Sequence, residues 1–210
     1  MAKNISPVIT STAAQAAGAI AELAGVTGST VVDTVTNTLD FTDANLTDTH
    51  TVSFTPQAAG YAGVFSAVKA GDSTGGVTGH VTWTFTVADG ALDFLSAGQT
   101  LVQSYNVTVA DNAGGTVVQV VTLTFTGTND APTITSTAAA AAVSVTELAA
   151  VTGSTAVDTT TGTLTFKDPD FLDTHTASAV AQGAGYLGTF TLGALTNSLN
   201  GATGSVHYTF

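Results

Sequence analysis

The chain repeats itself, and that constrains its architecture more than any other feature. Ile9-Thr10-Ser11-Thr12 returns as Ile134-Thr135-Ser136-Thr137, a shift of 125 positions that then holds without a gap. Glu22-Leu23-Ala24 falls on Glu147-Leu148-Ala149, Asp48-Thr49-His50-Thr51 on Asp173-Thr174-His175-Thr176, Gly60-Tyr61 on Gly185-Tyr186, and Phe85 on Phe210. Of the 77 positions that can be compared, 9–85 against 134–210, roughly half are identical. A self-match of that length marks tandem copies of one structural unit.

The copies join at Asn129-Asp130-Ala131-Pro132, where turn formers and a proline mark a linker. That joint places the first, complete copy at 1–130 and the second at 131–210, which lacks a counterpart of Thr86 to Pro132. A shifted phase, with a unit at 86–210 and a partial one at 1–85, fits the same repeat. Either way, a sheet that lacks its last strands exposes an edge.

Each copy reads as all-β. Val81, Trp83, Phe85 and Val87 alternate with threonines and His80; Tyr105, Val107 and Val109 alternate with Asn106 and Thr108; Val121, Leu123 and Phe125 alternate with Thr122, Thr124 and Thr126. A period of two puts the apolar side chains on one face of a strand. Leu39 with Phe41, and Val52 with Phe54, show the same pattern. Asp111-Asn112-Ala113-Gly114-Gly115 sits between two such runs as a hairpin turn. About seven short strands per copy predict an antiparallel β-sandwich, repeated in tandem with the second copy truncated. Trp83 and Tyr208 share one position and are expected in the core. The alanine run 138–142 has helical propensity but is flanked by Thr, Ser and Val, and is expected as an extended lead-in.

Charge excludes several functions. The chain has 15 acidic residues against 3 lysines, no arginine, and a formal net charge of −12. It has no basic stripe for nucleic acid and no polybasic anchor, and no stretch approaches the roughly 20 apolar residues of a spanning helix. Cysteine is absent, which removes disulfides, thiolate nucleophiles and thiolate zinc sites. Residues 11–26 are alanine-rich, but Glu22 interrupts them and no basic head precedes them, so no secretory signal is recognised. That leaves a cytoplasmic chain, a piece of a longer one, or export without an N-terminal signal.

No constellation points to catalysis. His50 and His175 recur at strand starts, and one imidazole makes no metal site, so both are expected to be structural. There is no Gly-x-Ser-x-Gly elbow, and the Gly75-Gly76 loop lacks the lysine of a phosphate-binding loop. No pair of turn carboxylates stands out as an acid and base. The chain is therefore expected not to be an enzyme.

The acidic residues gather in loops. Asp43, Asn45 and Asp48 lie between two strands, and the second copy sharpens the set to Asp168, Asp170 and Asp173. Three oxygen ligands spaced 0, 2 and 5 in a turn can converge on one hard cation, and calcium takes six to eight such oxygens. The same residues also serve as ordinary turn formers. Asp89-Gly90 and Asp111 are expected to be plain turns.

Several stretches resemble one family. Leu95-Ser96-Ala97-Gly98-Gln99-Thr100-Leu101, Tyr105 to Asp111, Gly114-Gly115-Thr116 and Thr126 to Pro132 look like the end of a VCBS-type repeat; Thr38 to Asp43 and Gly79 to Phe85 look like its middle. Such repeats occur in tandem in very large bacterial surface and secreted proteins, including RTX-type adhesins, with a fold similar to cadherin-like and immunoglobulin-like domains. The resemblance implies an extracellular or cell-surface adhesion module whose partners are neighbouring repeats and surface or matrix glycans or proteins. It also implies calcium at the joint, with Asn129 and Asp130 meeting Asp168 and Asp170, and with Glu22 and Glu147 where an early glutamate joins such a site. The glycine-rich nonapeptide repeats and the C-terminal secretion signal of a whole adhesin are absent, as in an internal piece. The alternative is a carbohydrate-binding β-sandwich, for which Tyr61, Tyr186 and Trp83 are the candidate aromatics.

Overall fold

The computed structural model of the chain describes residues 3–210; residues 1 and 2, which the repeat reading puts in the first domain, lie outside the described residues. The chain forms two compact units, one ending at Thr128 and the other Asn129–Phe210.

In the first unit the alternating segments become eight strands. They are β1 (Val8–Ile9), β2 (Ala17–Ala21), β3 (Val32–Thr42), β4 (His50–Pro56), β5 (Val64–Gly71), β6 (Gly79–Ala88), β7 (Thr100–Asp111) and β8 (Thr116–Thr126). They build two four-stranded sheets, ordered β1-β3-β6-β5 and β2-β8-β7-β4. All neighbours run antiparallel except β2, which lies parallel to β8 with Ala17 opposite Thr122. The expected hairpin turn is present: Asp111 N–H donates to Gly115 O at 2.9 Å.

The apolar member of each alternation faces the inside of this sandwich. Leu39, Phe41, Val81, Trp83, Phe85, Val107, Val109, Val121 and Phe125 are wholly buried, while the intervening threonines are not. Burying each such side chain stabilises by about 1.5–3 kcal/mol. Aromatic contacts cross between the sheets: Tyr105 stacks on Phe65 at 4.2 Å, and Phe125 meets Phe85 at 5.5 Å. The Trp83 indole N–H donates to Gln15 O at 2.9 Å, which ties a 3₁₀ turn, Ala13–Ala16, to the core. Gly79 has no side chain for a clear reason, since a Cβ there would enter the Phe41 ring.

The second unit has one sheet, β11-β12-β10-β9. Its strands are β9 (Thr133–Ile134), β10 (Thr161–Lys167), β11 (Thr191–Thr196) and β12 (Gly204–Thr209), all antiparallel. Each falls 125 residues after β1, β3, β5 or β6. Gly204 repeats the role of Gly79, lying against Phe166. Tyr208 repeats that of Trp83: it is buried, and its hydroxyl donates to Ala141 O at 2.7 Å. The exchange is compensated across the ladder, for Trp83 pairs with Asn37 but Tyr208 with Gly162, where a Cβ would meet the Tyr208 ring.

One local expectation is corrected. Ala138–Ala141 is one turn of α-helix (α1), not an extended lead-in, because Thr137 Oγ1 accepts from Ala140 N–H at 3.2 Å and alanine propensity then prevails. Residues 142–146 and 175–181 fall at the repeat positions of β2 and β4 but carry no strand. In the first unit β2 pairs with β8 and β4 with β7, and the second unit has no counterpart of either partner among the described residues.

Candidate metal centres

The loop after β3 turns back on itself through its own carboxylate. Asp43 Oδ1 accepts from Asn45 N–H at 2.7 Å, and Asp43 N–H donates to Ser73 Oγ at 2.8 Å. Carboxylate oxygens of Asp43, Asp48 and Asp111 come within 4.8 Å of one another. Asp48 Oδ2 is buried with no hydrogen-bond partner. The structure thus brings together two of the three expected loop ligands. Asn45 is used otherwise, its Oδ1 accepting from Ile5 N–H at 2.8 Å. Asp111 does hold its turn, through bonds from Ala113 N–H at 2.8 Å and Gly115 N–H at 2.7 Å. It is more than the expected plain turn, because it also joins this cluster. Burial pushes its carboxyl up, but those amides and Asn4 outweigh it and hold Asp111 below the usual carboxylate range.

His50 opens β4, buried between two carboxylates: Nε2 lies 3.1 Å from Asp43 Oδ2 and Nδ1 2.6 Å from Asp72 Oδ1. Burial raises the Asp72 carboxyl, yet bonds from Lys69 and His50 prevail and keep it far below its ordinary value. His175 is placed alike, 2.8 Å from Asp168 and 3.3 Å from Asn197. Both histidines therefore bond the first aspartate of the acidic loop, His50 from the start of β4 and His175 from a segment without strand, a structural use.

In the second unit Asp130, Asp168 and Asp170 are all buried. Asp130 N–H donates to Asp170 Oδ2 and Asp170 N–H to Asp168 Oδ1, both at 2.9 Å. Asp170 Oδ1 is buried without a hydrogen bond. Burial raises the Asp170 carboxyl first; the Asp130 amide opposes, and the negative charges of Asp173, Asp168 and Asp130 add, bringing it to about 6. Asn129 does not enter this group: it is exposed and its side-chain amide donates to Asp130 O at 2.7 Å. Glu147 is also a correction. It is exposed in an irregular stretch, because the strand that buries Glu22 in the first unit is held in place by β8.

Glu22 stands just past β2. Its N–H donates to Thr126 O at 3.0 Å and its Oε2 accepts from Thr128 N–H at 2.8 Å. Beside it lie carboxylates absent from the expected ligand set. Asp89 is wholly buried; its Oδ1 accepts from Leu23 N–H at 2.8 Å, while Oδ2 has no partner. Asp93 Oδ2 accepts from Gly28 N–H at 2.6 Å, and its Oδ1 is buried without one; Glu22 and Asp93 oxygens lie within 4.8 Å. Burial, then the Asp89 charge, raises the Asp33 carboxyl. The reading of Asp89-Gly90 as a plain turn is therefore corrected. The signal was in Leu92 and Leu95, apolar residues that anchor this segment in the core and draw the aspartates inward.

Buried carboxylate oxygens without a donor are costly unless a positive charge faces them. Clusters of oxygen donors with few cations nearby are the donor chemistry of a hard divalent ion, so the clusters can hold a metal. The aromatic candidates are placed differently. Trp83 is wholly buried and Tyr61 packs on Tyr105 at 5.4 Å, its hydroxyl accepting from Ser104 N–H; Tyr186 is 64% exposed. No described helix is long and apolar enough to cross a membrane.

No family model matches the chain, and no curated protein matches it. Among solved structures it is similar to the secreted serine protease VesC from Vibrio cholerae, at TM-score 0.28 and 8% identity over 91% of this chain; it spans 44% of that chain's length. A protease title stands against the expectation that the chain is not an enzyme, and that expectation is withdrawn. At such a score the likeness establishes no activity either.

Proposed function

We propose that the chain is an extracellular structural and adhesion module of the VCBS-type, cadherin-like kind, from a repetitive bacterial surface or secreted protein. Calcium held by its acidic clusters stiffens the connection from one repeat to the next. The observation that carries this reading is the set of buried, unbonded carboxylate oxygens on Asp48, Asp89, Asp93 and Asp170. The ion supplies the positive charge that three lysines in a chain of net charge −12 do not. The chain's residues hold the carboxylates in place beforehand: backbone amides of Leu23, Gly28 and Thr128 fix Asp89, Asp93 and Glu22. Its partners on this reading are neighbouring repeats, with surface or matrix glycans or proteins beyond them.

Thermal melting tests it. Binding confined to the folded form stabilises by RT ln(1 + [L]/Kd), about 2.7 kcal/mol at a hundredfold excess over Kd. Calcium is expected to raise the melting temperature, chelator to reverse the gain, and magnesium to do less, since it loses its water shell reluctantly. Superposable curves with calcium and with chelator would sink the proposal.

The gain also carries a pH signature. The Asp170 carboxyl sits at about 6 in the folded chain, above its ordinary 3.8. An acid raised on folding favours the folded state at low pH, and that stability is lost as pH climbs from about 4 through 6. Calcium needs the ionised form, so its stabilising effect is expected to be small near pH 5 and full above pH 7. A gain that is independent of pH over that window rules out Asp170 as a ligand.

A further inference from the structure

The two acidic loops share one scaffold and differ at one ligand atom. Asp43 N–H donates to Ser73 Oγ at 2.8 Å, and Asp168 N–H to Ser198 Oγ at 2.9 Å. Asn45 N–H donates to Asp43 Oδ1 at 2.7 Å, and Asp170 N–H to Asp168 Oδ1 at 2.9 Å. His50 and His175 each stand beside the second oxygen of that first aspartate. A linker amide closes both loops: Ile5 N–H donates to Asn45 Oδ1 at 2.8 Å, and Asp130 N–H to Asp170 Oδ2 at 2.9 Å. All of these pairs are related by the 125-residue shift of the repeat. The linker bond occupies one of the two terminal side-chain atoms. In the second copy the other atom is Asp170 Oδ1, an oxygen of a wholly buried residue, without a hydrogen bond. In the first copy it is Asn45 Nδ2, which donates to Lys3 O at 3.5 Å. An amide nitrogen is a donor and offers no lone pair to a cation. The linker widens the difference, since Asp130 is a buried carboxylate where the first copy has an exposed Ile5.

We infer that the residue at this shared position, Asn45 or Asp170, sets how tightly each loop holds calcium, so that the second-copy loop fills first and the first-copy loop only at higher ion concentration. Calcium takes oxygen ligands, and its affinity follows the charge count and the rigidity of the site. The scaffold bonds are common to both loops, so rigidity does not separate them; the ligand atoms do. Asp43, Asp48 and Asp111 still gather in the first copy, which leaves that loop a weaker hold on the ion and not none. At intermediate calcium one loop is then occupied and the other is not. The order of filling rests on the calcium reading proposed above and adds to it the residue that decides between two near-identical loops.

Calcium titration of the full, isotope-labelled chain, followed by amide NMR, reads each loop separately, because the Ile5 and Asp130 amides bond the two residues in question. The Asp130 and Asp170 amides are expected to shift with a midpoint at least about tenfold lower in calcium than the Ile5 and Asn45 amides. Asp170→Asn is expected to raise the second-loop midpoint about tenfold or more and to leave the first-loop midpoint alone. Asn45→Asp is expected to do the reverse of harm, lowering the first-loop midpoint toward that of the second. Both exchanges keep the side chain's shape and the oxygen that accepts the linker amide, so neither removes a scaffold bond. Equal midpoints in the parent chain, or an unchanged first-loop midpoint in Asn45→Asp, would overturn the inference and leave calcium binding itself in place. No shift at either loop also overturns it. The melting comparison then judges the calcium reading separately, since Glu22, Asp89 and Asp93 lie outside both loops.

Discussion

Trp83→Ala is expected to cost the first unit about 3–5 kcal/mol, the usual range for emptying a wholly buried large aromatic site. The indole is fully enclosed, stacks on Phe65 at 6.0 Å, and lies 3.1 Å from where a Cβ of Gly18 would sit. Its loss also leaves Gln15 O without the N–H that it accepts from. Domains of this size have about 5–15 kcal/mol in hand, so the substitution removes about a fifth of that at the least and all of it at the most. Trp83→Tyr is the informative companion, because tyrosine occupies the matching position 208 and bonds the matching helical turn. It is expected to cost less than half as much, the remainder reflecting Asn37 where the second unit has Gly162. Urea unfolding followed by circular dichroism measures both. A cost under about 1 kcal/mol for Trp83→Ala would mean that the two sheets do not close on this residue.

Asp89→Asn is expected to change sign with calcium. Without the ion, Asp89 is a wholly buried carboxylate with one oxygen unbonded and a second carboxylate, Asp33, close enough to be raised by its charge. The amide keeps the bond from Leu23 and removes that repulsion. Apo stability is therefore expected to stay level or rise by about 1 kcal/mol. With calcium the order reverses: the variant is expected to lose most of a gain that amounts to about 2.7–4 kcal/mol at saturating ion. Paired melts of both proteins, with calcium and with chelator, read both signs. Destabilisation by the same amount in both conditions would make Asp89 a structural residue and not a ligand.

These two residues differ in how they could be found. Trp83 was visible as the largest member of an alternating run, and a strand's period of two is written in consecutive residues. Asp43, Asp48, Asp168 and Asp170 were visible because a turn brings near neighbours together. Asp89, Asp93 and Asp72 were not. Asp89 meets the backbone of Leu23, 66 residues away, and His50 meets Asp72 across 22. Such pairings depend on which strands become neighbours. Glu147 failed for the opposite reason: its sequence context copies that of Glu22, but the strand that buries Glu22 forms only because β8 lies beside it.

The repeat, the strand segments, the large core residue of each copy and the clustering of aspartates in loops follow from sequence alone, because each is a local pattern or a self-comparison. Tertiary structure decided which carboxylates gather and lose their solvent, and which copied segments become strands. A β-strand is completed by hydrogen bonds to a neighbour that can lie anywhere in the chain, so corresponding positions of the two copies form a ladder at 17–21 and none at 142–146.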